Sequence, residues 1–136
     1  MEDDQLQTFL EAPRLAMLIS NRKNGIPMGV PVWFEWADGE VRMFAAVGSA
    51  KLRRLERDPR ISVLVTNHIG EPEHWVAFDG TVAVQEQDAS GLIARLGARY
   101  WNLDDPERKE TLDSWVANAA AFVTLTLTPD RIRSGS

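Results

Sequence analysis

Residues 29–47 read GVPVWFEWADGEVRMFAAV. Two apolar runs, 29–37 and 40–47, flank an Asp-Gly pair at 38–39. Asp-Gly supplies the positive-φ residues that a tight hairpin turn demands, so the pair predicts two antiparallel strands. Upstream, RLAMLISNR (14–22) runs into Asn-Gly at 24–25. The same rule makes that stretch a first strand, giving three consecutive strands in a meander. Pro27 and Pro31 restrict where this sheet is central, because proline cannot donate to a ladder.

After Val47 the periodicity changes. In VGSAKLRRLERDPR (47–60), Gly-Ser precedes a short helix with Leu52 and Leu55 on its inner face, stopped before Pro59. RISVLVTN (60–67) and FVTLTLTP (122–129) alternate as half-buried strands do, and HWVAFDGTVAVQ (74–85) is a long strand that Gly80 kinks. Leu6, Phe9 and Leu10 give residues 3–11 helical spacing. DASGLIARLGARYWNL (88–103) and DPERKETLDSWVANAA (105–120) predict two further helices, the second with Asp105 as N-cap and Pro106 at its first position. About six strands with short helices between them predict a mainly β chain with added helices (β+α), a small antiparallel barrel.

The chain has 136 residues, 44% of them apolar and 26% charged, which predicts one globular domain over residues 1–136. Its net charge of −5 offers no global attraction to nucleic acid or an anionic membrane, so any anion site is local. No apolar run reaches the ~20 residues that span a bilayer, and MEDDQLQTFLEAP lacks the features of a signal peptide. There is no cysteine, hence no disulfide, thiolate nucleophile or Cys-ligated metal. The expected location is the cytoplasm.

The two histidines, His68 and His74, match no metal-ligand framework, and no metal is expected. No serine sits in a Gly-x-Ser-x-Gly elbow, and the carboxylates show no pairing, which removes the support for hydrolase chemistry. The cations are less ordinary. Five of the fifteen Lys and Arg fall between 51 and 60: Lys51, Arg53, Arg54, Arg57 and Arg60. Cations in a first helical turn oppose the dipole at ~0.3–1 kcal/mol each. A Gly-Ser turn opening a helix is also an anion cradle, with free N–H groups facing outward. Ser49 and Lys51 are then the candidate phosphate donors. The competing reading keeps Ser49 as an N-cap only, with the cations solvated. It favours Glu or Gln at the third helical position, where Leu52 stands.

PVWF (31–34), GSAKLRRLERDPRISVLV (48–65), HWVAFDGTVAV (74–84), ARYW (98–101) and TLTLTPDRIR (124–133) follow one another in an order that resembles the pyridoxamine 5′-phosphate oxidase-like, flavin-binding split-barrel proteins. The likeness runs from about residue 14 to residue 133, and SAKLRRLERDPR is its most specific part. It implies a six-stranded antiparallel split barrel of Greek-key type with short peripheral helices, forming a homodimer with the cofactor between the barrels. Ser49 and Lys51 are then contacts to a flavin phosphate. Arg53 or Arg54 replaces the arginine that the family often places where Ala50 stands. Pro31, Val32 and Trp33 line the flavin ring, Phe44 and Ala45 lie near the ribityl chain, and Trp75 with Val76 closes the groove or approaches from the partner.

The implied function is an FMN-dependent oxidoreductase moving hydride to or from a small planar substrate near Trp33 and Trp36, with no catalytic side chain assigned. The alternatives are a reductase using the deazaflavin coenzyme F-420, a non-catalytic flavin-binding protein, and a small-anion or nucleic-acid module without flavin. The family's pyridoxamine phosphate oxidases carry a C-terminal extension with Arg and His that hold the substrate phosphate. RIRSGS (131–136) supplies no such extension, which implies a different substrate.

Overall fold

The computed structural model describes residues 3–86 and 88–136. Helix α1 (Asp3–Glu11) leads into β1 (Ala16–Asn21), β2 (Pro27–Val32), β3 (Glu35–Ala37) and β4 (Glu40–Ala46). Helix α2 (Ala50–Arg57) connects to β5 (Arg60–Thr66) and β6 (Trp75–Gln85). Helices α3 (Ser90–Tyr100) and α4 (Pro106–Ala117) precede β7 (Phe122–Leu127) and β8 (Arg131–Gly135).

The strands follow the order β2-β1-β5-β6-β7-β4-β3, antiparallel throughout, with β8 on the other edge of β6. The two ends of that order, β2 and β3, are successive pieces of one segment. The sheet therefore curls until its edges meet at Trp33 and Phe34, which belong to neither ladder. Counting 27–37 as one position leaves seven strands, one more than the six the sequence predicts, the addition being β8.

Three expectations need correction. The strand predicted over 29–37 is divided, so the meander is two hairpins whose halves lie in different parts of the sheet. Barrel closure causes the division: one segment must pair β1 at one end and β4 at the other. The first strand begins at Ala16, two residues late, and the Arg14 backbone bonds to the Ala12 carbonyl and the Tyr100 hydroxyl in place of a ladder. The tail 131–135, read only as an end, forms β8, and its polar residues carry no strand periodicity.

Alternation survives the division. Val32 and Phe34 are buried and Trp36 packs against the core, while Pro31 and Trp33 face outward. The barrel interior is filled by side chains such as Leu18, Phe34, Met43, Val63, Phe78 and Leu125. Strand β6 pairs with β5 through Thr81 and with β7 from Val82 onward, changing partners just past Gly80. A Cβ on Gly80 would lie 2.8 Å from Leu127 Cδ1, so glycine lets the strand pass close over the core there. Helix α2 buries Leu52 and Leu55, as its spacing predicts.

Candidate functional site

Ser49 is the N-cap of α2, and its Oγ accepts the Leu52 N–H at 3.2 Å. Capping uses an oxygen lone pair and leaves the hydroxyl proton free to donate. The capping reading and the anion-cradle reading are therefore compatible. Gly48, before the cap, has φ of 77°, a left-handed conformation that glycine adopts without strain.

The cations of 51–60 divide by what they touch. Arg53 donates to the Gly48 carbonyl (2.6 Å), and Arg57 donates to the Asn21 carbonyl (2.8 Å). Arg60 pairs with Asp58 at 2.8 Å and helps hold that carboxyl well below its ordinary range. Lys51 and Arg54 are less fully engaged among the described residues. Lys51 Nζ makes one long hydrogen bond, 3.4 Å to the Phe44 carbonyl, out of three it can donate. Arg54 Nε is buried without a hydrogen-bond partner among the described residues. Burial, and then the Arg54 charge, push the Lys51 ammonium below its ordinary value. Two half-buried cations side by side, with donors to spare, fit an anion with several oxygens.

Lys51 lies at one side of a cleft of about 350 Å³. Pro31, Val32 and Trp33 form one wall, Phe44 and Leu15 contribute from β4 and the approach to β1, and Trp115 reaches in from α4. Behind Trp33 stands an aromatic cluster: Tyr100 stacks on it (5.3 Å between centroids, 6° between planes), and Trp101 meets it edge-on at 4.9 Å. Trp115 lies 5.2 Å from Trp101 and 6.3 Å from Phe44. An apolar slot with aromatic walls and a cation at its side suits a flat ring bearing an anionic tail.

Of the residues named from sequence, the structure brings Pro31, Val32, Trp33, Phe44 and Lys51 to this cleft, with Ser49 and Arg54 on the adjoining helix. Ala45 is not with them. It follows Phe44 on β4, so its side chain faces the barrel interior and is 2% exposed. Trp75 lines a separate groove with Ile19, Leu64 and Arg133, on the outer face of β1, β5, β6 and β8, and Val76 is in the core. Trp36 packs on Phe78 at 4.8 Å, leaving Trp33 as the one of the pair at the cleft. Sequence reasoning missed Trp115 and Leu15. The available signal for Trp115 was an apolar residue with Leu112 and Val116 on an otherwise charged helix.

The profile of the pyridoxamine 5′-phosphate oxidase family matches residues 2–133. No curated protein matches the chain. Among solved structures, a conserved hypothetical protein from Mycobacterium tuberculosis superposes with a TM-score of 0.74 at 23% identity, over 98% of this chain and 84% of that one. A protein described as an F420 reductase gives 0.74 at 21%, over 93% and 94% of the two chains. An FAD-binding protein from Mesorhizobium loti gives 0.64 at 20%, over 98% and 92%. At these identities the likeness is one of fold.

Proposed function

The chain belongs to the pyridoxamine 5′-phosphate oxidase family, and from that premise we propose that it is an oxidoreductase holding FMN by its phosphate at Ser49, Lys51 and Arg54. The observation carrying this reading is the meeting of an aromatic slot with an unneutralised Lys51 and an unpartnered Arg54 Nε. When bound, the flavin supplies hydride transfer to or from a small planar substrate. Lys51 and Arg54 bind the phosphate charge, and the Ser49 hydroxyl donates to one of its oxygens. Trp33, Phe44 and Trp115 confine the ring and exclude water from it, which strengthens every polar contact at the site. Among the described residues, Lys51 is the one titratable side chain lining the cleft, so the protein's part is positioning rather than proton transfer. A second copy seated on the outer groove of Ile19, Leu64 and Trp75 completes a homodimer with the cofactor at its interface.

The test is titration of the purified protein with FMN and, separately, with the deazaflavin coenzyme F-420, followed by fluorescence. Lys51→Ala removes a charge-assisted contact worth about 1.5–3 kcal/mol and weakens whichever cofactor binds by roughly 10- to 150-fold. Unchanged affinity in that variant refutes the phosphate assignment. Tighter F-420 binding selects the deazaflavin reading, which the likeness to an F420 reductase supports. A cofactor that binds but is not turned over across a broad acceptor panel selects a flavin-binding protein without catalysis.

A further inference from the structure

Trp33 and Phe34 lie between two ladders, so Phe34 lacks the strand partner that Val32 and Glu35 have. A backbone group left unpaired there would cost as much as a lost hydrogen bond. One side chain from another element answers that need. The Phe34 N–H donates to Tyr100 Oη at 3.3 Å, and the same hydroxyl donates to the Arg14 carbonyl at 2.7 Å, with the Phe34 carbonyl also at 3.3 Å. A phenol offers one proton and also accepts, so Tyr100 serves here as donor and acceptor at once.

The placement has a second half. Arg14 precedes Leu15 and Phe34 follows Trp33, and Leu15 and Trp33 both line the cleft. The Tyr100 ring is stacked on Trp33, 6° from parallel. One residue thus ties the backbone behind two cleft-lining residues and sets the plane of the ring on one of them. We propose that Tyr100 is a positioning residue that fixes the Trp33 ring and the spacing from Leu15 to Trp33, and thereby tunes the slot for a planar ligand without touching it. The part concerning ligand rests on the flavin reading; the part concerning Trp33 does not.

Tyr100→Phe keeps the stacked ring and removes the hydroxyl. It should lower the affinity for FMN and for riboflavin, which lacks the phosphate, by the same factor, about three- to tenfold. Lys51→Ala should instead weaken FMN alone. In the ligand-free protein, Tyr100→Phe should diminish the near-ultraviolet circular dichroism of the tryptophan cluster. Trp33→Leu should weaken riboflavin further, and adding Tyr100→Phe to it should cost nothing more, because the tyrosine acts through Trp33. Unchanged riboflavin affinity with unchanged near-ultraviolet dichroism in Tyr100→Phe overturns the proposal, as does full additivity with Trp33→Leu. Should that variant not fold, the unsubstituted chain still decides. Tyr100 is its single tyrosine, so 3-fluorotyrosine incorporation gives one fluorine resonance. That resonance should shift on saturation with FMN, and an unmoved one overturns the proposal. A wild-type chain that binds neither FMN nor riboflavin removes the flavin reading, while the dichroism of Tyr100→Phe still tests the hold on Trp33.

Discussion

At the scale of the residue, Lys51 sets a pH dependence whose sign is fixed. Burial, and then Arg54, lower its value in the free protein, and a bound phosphate favours its charged form. Binding therefore takes up a proton in the alkaline range. Affinity is fully present below the free-protein value of Lys51 and is lost as pH rises through it, beginning below the ordinary lysine value of 10.5. Cofactor titrations between pH 7 and 10.5 should show this decline, and Lys51→Arg should remove it, since arginine stays charged. Ser49→Ala removes the cap of α2 and should lower stability by ~1 kcal/mol in denaturant melts. Ser49 and Lys51 could be read from sequence because a glycine-serine turn, a helix start and a misplaced cation are all local. The division of Phe44 from Ala45 was also local, since neighbours on a strand face opposite ways. Trp115 was not legible, because it meets Phe44 only once α4 is packed against a strand 71 positions earlier in the chain.

At the scale of the element, the α3–α4 hairpin decides where Trp101 and Trp115 stand. A Cβ on Gly97 would fall 2.4 Å from Leu112 Cδ2, so the two helices touch at a point that only glycine permits. Gly97→Ala should cost about 1–3 kcal/mol of stability by overpacking, and less in a Leu112→Ala background. Thermal melts of the two single variants and the double variant check this. Both helices were legible from periodicity, and Asp105 caps α4 as predicted, accepting the Glu107 N–H at 3.0 Å. Their contact was not, because Gly97 reads as a weak helix former until its neighbour is known. Strand β8 was hidden for a related reason. Gly135 lies where a Cβ would come within 2.8 Å of the Trp75 ring, and β6 supplies the pairing that RIRSG does not advertise.

At the scale of the molecule, α1 and the loop before β6 are joined by Arg14, which donates to the Phe9 carbonyl and makes a forked contact to Glu71 at 2.5 and 3.1 Å. That contact, with the His68 N–H, holds Glu71 at about 2 rather than 4.5. A depressed carboxylate stabilises the fold above its unfolded value, so this contribution is present above pH 4.5 and fades as pH falls toward 2. Urea midpoints should drop over that interval, and Glu71→Gln should flatten the drop. Leu64→Asp on the outer groove should weaken the homodimer proposed above, as sedimentation will read. The barrel itself was legible because its strands apart from β8 announce themselves, and its closure was not, because no local signal says that one segment serves both edges. That closure leaves β2 paired on one side only, against β1. A free sheet edge invites other chains to add to it and seeds fibrils. Pro27 and Pro31 offer no N–H to an incoming strand, so the residues that limited where the sheet could be central also guard its margin. Pro27→Val should leave the monomer folded and shorten the lag before thioflavin-positive aggregates form.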